Sequence, residues 1–142
     1  MTHKILKVGF DLDGVLLYNP ARIVRPIIAT IKKVVVKNRQ IKFYYPKTSA
    51  EKYIWTIFHK SSLFIAPGFD EIISMVKNKR ISAYIVTSRY SFLKNDLNHW
   101  LQKLEIDNLF DGIHCNENDE QPHIFKEKIL KKLNLDIFVE DN

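Results

Sequence analysis

The 142 residues include one cysteine, Cys115, so no internal disulfide framework can form. That suits a reducing compartment, and the expected location is the cytoplasm. No apolar run approaches the roughly 20 residues of a membrane-spanning helix, and no membrane partner is expected. No long apolar core precedes Asp11, so the N-terminus does not read as a signal peptide. The chain has no internal repeat and no low-complexity stretch. His114, Cys115 and His123 lack the spacing of a zinc site, and Cys115 reads as a small buried strand residue. Acids are the minority charge, 16 Asp and Glu against 22 Lys and Arg, for a net charge of +6. That balance favours anionic ligands: phosphate esters, nucleotides or nucleic acid. Much of it is lysine spread along helices, where a solvated face explains it equally well.

What is present is enough for one domain with a small insertion, since 46% of the residues are hydrophobic. The chain is organised around Val8-Gly9-Phe10-Asp11-Leu12-Asp13-Gly14-Val15-Leu16. Val8 and Phe10 read as a buried strand, with Ile5 and Leu6 upstream. Asp11 and Asp13 lie two apart, so on an extended backbone their side chains point the same way. Gly14 then permits a turn. Two carboxylates this close repel unless a cation lies between them or one holds a proton. One acid as nucleophile and metal ligand, the other as proton shuttle, satisfies that condition. The rival readings are a plain Asp-Gly turn and a calcium loop. The calcium loop fails, because Leu16 and Arg22 stand where Gly and Glu are needed.

Downstream, Asn19-Pro20 predicts a helix to about Lys37, with Ile23, Ile27, Ile31 and Val34 on one face and a kink or later start at Pro26. Residues 41–45 read as a short extended piece. Thr48-Ser49-Ala50-Glu51 has capping-box spacing, and a helix carrying Tyr53, Ile54, Ile57 and Phe58 follows, ending at Ser61-Ser62. Helices are expected at about 70–78, 92–104 and 124–133, and strands at 81–87, 111–115 and 136–139. Strands alternating with helices from Asp70 onward predict a doubly wound parallel sheet. The segment from Tyr18 to about Ala66 breaks the alternation. It is helical, aromatic and basic, and reads as an inserted cap. Tyr53 and Trp55 are expected in the cap's core. Lys42, Lys47 and Phe43-Tyr44-Tyr45 read as packed cap surface rather than a base-stacking platform, because no nucleic-acid fold signature accompanies them.

Three further features fall where the acids need help. Thr87 ends the second strand and Ser88 follows; hydroxyls there can hold a phosphoryl oxygen. Lys126, early in a helix, could neutralise charge on a phosphoryl group and on Asp11. Glu140 and Asp141 end the last strand and join Asp11 and Asp13 at one sheet edge, a hard-oxygen set that favours Mg²⁺. Each alone has an ordinary reading: a β-branched strand residue, a solvated lysine, a polar tail. Arg89 is open between a contact with substrate and a cap.

These stretches resemble the haloacid dehalogenase-like hydrolases, most of which are phosphatases. Four motifs stand in the family's order: Phe10-Asp11-Leu12-Asp13-Gly14-Val15-Leu16, Ile85-Val86-Thr87-Ser88, Lys126 within Phe125-Lys126-Glu127-Lys128-Ile129-Leu130, and Phe138-Val139-Glu140-Asp141-Asn142. The resemblance implies a three-layer α/β/α Rossmann-like core, residues 1–17 and 67–142, with a small, mainly helical cap over 18–66 after the first strand. It implies Mg²⁺-dependent hydrolysis of a phosphomonoester through an aspartyl-phosphate. Asp11 would be the nucleophile and Asp13 the proton shuttle. The Asp11 carboxylate, the Asp13 main-chain carbonyl and Asp141 would hold Mg²⁺, with help from Glu140. Thr87 and Lys126, with Ser88 beside them, would bind the phosphoryl group, and Lys128 is the alternative lysine.

The sequence stops one residue after Asp141, without the further acid and fifth strand that many relatives carry. The fourth strand is then an expected sheet edge, through which a second copy could pair. The expected partner is a small phosphorylated substrate, with a nucleotide among the candidates and nucleic acid less favoured. Two alternatives stand beside this reading: a nucleotide or nucleic-acid end phosphatase with the same chemistry, and a non-catalytic or truncated binding module.

Overall fold

The computed structural model describes residues 4–18, 44–60 and 64–141. Strand β1, Leu6–Phe10, is the centre of a four-stranded sheet and is flanked on both sides by parallel partners. On one side lies β4, Ile81–Tyr90, followed by β5, Gly112–Asn116; on the other lies β6, Ile137–Val139. The spatial order is β5-β4-β1-β6, so the chain steps outward from β1 and then returns to its opposite side. The switch lies between β1 and β6. Open parallel sheets bind ligands outside the carboxyl ends of their strands at such a point.

The register Val8↔Ala83 and Phe10↔Ile85 sets four apolar side chains on one face. They join a core with Phe69, Ile73 and Val76 of α2 (Phe69–Lys77) and Leu97 and Leu101 of α3 (Lys94–Lys103). Gly9 points the other way: a Cβ there would come within 2.4 Å of the Leu135 side chain and 3.0 Å of Phe138. Helix α4, Pro122–Leu133, carries the chain from β5 at one edge to β6 at the other and buries Phe125. The result is the expected α/β class, a parallel sheet with flanking helices.

Two short strands, β2 (Leu17–Tyr18) and β3 (Phe64–Ile65), pair antiparallel outside the main sheet. Between them in sequence lies α1, Ser49–Lys60. Its capping box forms as the spacing predicts. The Glu51 N–H donates to Thr48 Oγ1 at 3.2 Å, and the Thr48 N–H donates to Glu51 Oε2 at 3.0 Å. The helix expected over 19–37 and the extended piece over 41–43 lie outside the described residues. Tyr44 and Tyr45 are not in a strand.

Three expectations are corrected. Strand β4 runs three residues past Thr87, because a register shift against β5 lets pairing resume at Tyr90↔Asn116; Ser88 and Arg89 are thus strand residues. The helix after it opens with a 3₁₀ turn, Ser91–Leu93. Tyr53 is 67% exposed, not core, and Ile54, Ile57 and Phe58 are also exposed. Helix α1 is held instead through Trp55, whose ring meets Tyr90 edge-on at 5.7 Å. Tyr90 in turn packs against Tyr45 and Phe92, and its hydroxyl donates to the Tyr44 carbonyl.

Candidate active site

β1 delivers Asp11 to the carboxyl edge, and the Asp11 N–H donates to the Val139 carbonyl at 2.9 Å, tying that edge to β6. A tight loop follows. The Leu16 and Leu17 amides donate back to the Leu12 carbonyl, and Gly14, at φ 91°, adopts a left-handed conformation that a side chain would strain. Leu12 and Leu16 are fully buried and anchor this loop to the core. Asp13 therefore stands on a braced turn.

Asp11, Asp13, Thr87, Ser88, Lys126 and Asp141 line one cleft of about 370 Å³. Six residues expected at the site from separate stretches of sequence are thus brought together. Lys126 Nζ donates to Asp11 Oδ2 at 2.7 Å and also to Glu140. The other Asp11 oxygen accepts the Leu12 N–H at 2.8 Å. Burial pushes the Asp11 carboxyl above its ordinary range, against the pull of Lys126. Burial acts to lower the Lys126 ammonium, but its hydrogen bonds to Asp11 and Glu140 outweigh it and the net shift is upward. Lys126 thus stays cationic beside the carboxylate. Glu140 faces Lys126 and does not line the cleft. Lys128 pairs with Glu120 at 3.1 Å, away from it.

Arg89 resolves the question the sequence left open. Its Nε donates to Asp13 Oδ2 at 2.9 Å and its Nη2 to Asp13 Oδ1 at 2.7 Å, a two-pronged grip on the second acid. The Arg89 side chain is 7% exposed. Its place two residues beyond Thr87 did not announce this contact, because the strand is irregular between Thr87 and Tyr90. Thr87, also buried, accepts the Arg89 N–H on Oγ1 at 3.3 Å. Ser88 Oγ is buried and has no hydrogen-bond partner among the described residues. Helix α1 adds Trp55 and His59, whose rings stack at 6.1 Å. Neither was expected to reach the site from its place in the insertion.

Among the described residues no three His, Cys, Asp or Glu side chains form a metal-binding group. The carboxylates that line the cleft, among the described residues, are those of Asp11, Asp13 and Asp141.

The sequence profile of the haloacid dehalogenase-like hydrolases matches residues 18–142. The chain belongs to this family. The match begins after Asp11 and Asp13, so the placing of these two acids within the haloacid dehalogenase-like framework rests on the fold. Three similar solved structures carry the same architecture. A protein described as a predicted phosphoglycolate phosphatase, from Haemophilus somnus 129pt, is 17% identical with a TM-score of 0.58, covering 99% of this chain and 79% of its own. A phosphatase, so predicted, from Clostridium acetobutylicum is 18% identical with a TM-score of 0.54, covering 98% and 77%. A haloacid dehalogenase-superfamily hydrolase of subfamily IA from Geobacter sulfurreducens PCA is 15% identical with a TM-score of 0.52, covering 98% and 81%. At such identities the likeness is one of fold. No curated protein matches the chain.

Proposed function

We propose that this hydrolase cleaves a phosphomonoester with Asp11 as nucleophile. The observation that carries the reading is the Asp11–Lys126 pair at 2.7 Å, at the mouth of a cleft that also holds Asp13, Thr87 and Ser88. An Asp11 oxygen attacks phosphorus as the bond to the leaving oxygen breaks, and that oxygen takes a proton from Asp13. Water then attacks the aspartyl-phosphate. Asp13 accepts its proton, the acyl-phosphate P–O bond breaks, and the Asp11 carboxylate and inorganic phosphate are restored. Two anions must approach each other, and Lys126 offsets their repulsion. Thr87 and Ser88 supply hydroxyl donors to the phosphoryl oxygens. Arg89 holds the Asp13 carboxylate in a fixed plane and loosens one prong when Asp13 carries the proton.

The donor set is all oxygen, which suits Mg²⁺, and the Asp11 and Asp141 carboxylates with the Asp13 main-chain carbonyl would hold it. When bound, the ion supplies further charge neutralisation at the phosphoryl group.

The test is phosphate release from an aryl phosphate by the purified chain, with Mg²⁺ and with chelator. Release that requires the metal is expected. Asp11→Asn should lower it by at least about 10³-fold while the circular-dichroism spectrum is retained. Turnover at the parent rate in that variant would refute the mechanism.

A further inference from the structure

A second groove, of about 480 Å³, opens beside the catalytic cleft. The two share His59 and Arg89. We infer that this groove receives the leaving group, and that the leaving group carries a second phosphoryl group and a planar ring. The inference rests on the phosphomonoesterase reading above and names its substrate class.

The direction follows from the chemistry. The leaving oxygen takes its proton from Asp13, so the leaving group must depart past that acid. Arg89 grips both oxygens of Asp13 and at the same time forms a wall of the groove. The groove thus adjoins the proton donor through the Arg89 side chain that holds it.

Its lining sets what fits. The half-buried indole of Trp100 gives it an apolar part on which a flat ring can lie. Among the described lining residues, Lys60 and Lys103 bring permanent cations against one acid, Asp96. Lys60 pairs with Asp96 at 3.5 Å. Lys103 makes no ion pair among the described residues, which leaves its ammonium available to an anion. An apolar surface next to a cation, in a groove that adjoins the catalytic cleft, matches a nucleotide that bears a second phosphate. The volume lies in the range that holds small ligands. A free nucleoside bisphosphate and the phosphorylated end of a short oligonucleotide share this chemistry.

Four substrates separate the outcomes: an aryl phosphate, a nucleoside 5′-monophosphate, a nucleoside 3′,5′-bisphosphate and a 5′-phosphorylated dinucleotide. The bisphosphate or the dinucleotide should exceed the monophosphate by about tenfold or more in kcat/KM, and the better of the two names the source. Lys103→Gln should cut that preference by about fivefold, because the second phosphate loses its charged partner. Trp100→Leu should weaken both nucleotide substrates alike. Equal kcat/KM for mono- and bisphosphate, or a preference untouched by Lys103→Gln, overturns the inference while the phosphatase reading stands. If no substrate is hydrolysed, the leaving-group assignment falls with the phosphatase reading, and calorimetry tests the ligand class alone: a bisphosphate bound tighter than the monophosphate, through Lys103, upholds that class, and equal affinity overturns it.

Discussion

The two acids of the loop after β1 each have a cation: Asp11 has Lys126 and Asp13 has Arg89. The first pairing was legible, because a lysine in the first turns of the helix before the last strand is where a phosphoryl site needs charge. The second was not. Arg89 and Asp13 lie 76 residues apart, and no local spacing announces a contact at that separation. Ser88 carries a prediction of its own. Its buried hydroxyl has no partner among the described residues, so removing it forfeits no hydrogen bond of the folded chain. Ser88→Ala should leave the denaturation midpoint unchanged or raise it. The same variant should weaken inhibition by inorganic phosphate, if the hydroxyl is a phosphate donor. A loss of more than about 1 kcal/mol of unfolding free energy would instead assign Ser88 a structural bond.

Elements were readable to the degree that they bury a regular face. β1, β4, β5 and β6 followed from apolar runs bounded by polar turns, and α2 to α4 from their apolar stripes. β2 and β3 were invisible because two residues make no pattern. The overrun of β4 was hidden by the register shift, which nothing in Thr87-Ser88-Arg89-Tyr90 signals from one strand alone. Helix α1 was placed correctly by its capping box, yet Tyr53, expected in the core, lies on its exposed stripe. The box has a pH consequence. Hydrogen bonds from the Thr48 N–H, the Tyr44 hydroxyl and the Lys47 N–H hold Glu51 down at about 2. A depressed carboxyl stabilises the fold above its unfolded value, near 4.5, and loses that contribution as pH falls toward 2. Acidification from pH 6 to pH 3 should therefore lower the melting temperature of the parent more than that of Glu51→Gln. Equal losses in both would show that the box does not titrate.

At the scale of the molecule, the strand order puts Asp11 and Asp141 on neighbouring strand ends with β6 as the sheet edge. The alternation of strand and helix signals implied the parallel sheet; it could not give the order, which depends on which side of β1 the chain returns to. The two-stranded ribbon was a surprise with a use. Leu17 pairs with Ile65 and Tyr18 with Phe64, so an Asn-Gly turn joining Tyr18 to Phe64 would close a hairpin in place of everything between. That shortened chain should keep the parallel sheet, seen as a cooperative melt, and lose the aromatic contacts of Trp55 to Tyr90. Failure to fold would mean that α1 is part of the core. The wider consequence is genealogical. A polypeptide that leaves its catalytic scaffold and re-enters it at one doorway can have the intervening stretch lengthened, traded or rewritten without re-threading a single strand. Descent can therefore revise the passage between Tyr18 and Phe64 and the strands of the parallel sheet on separate schedules.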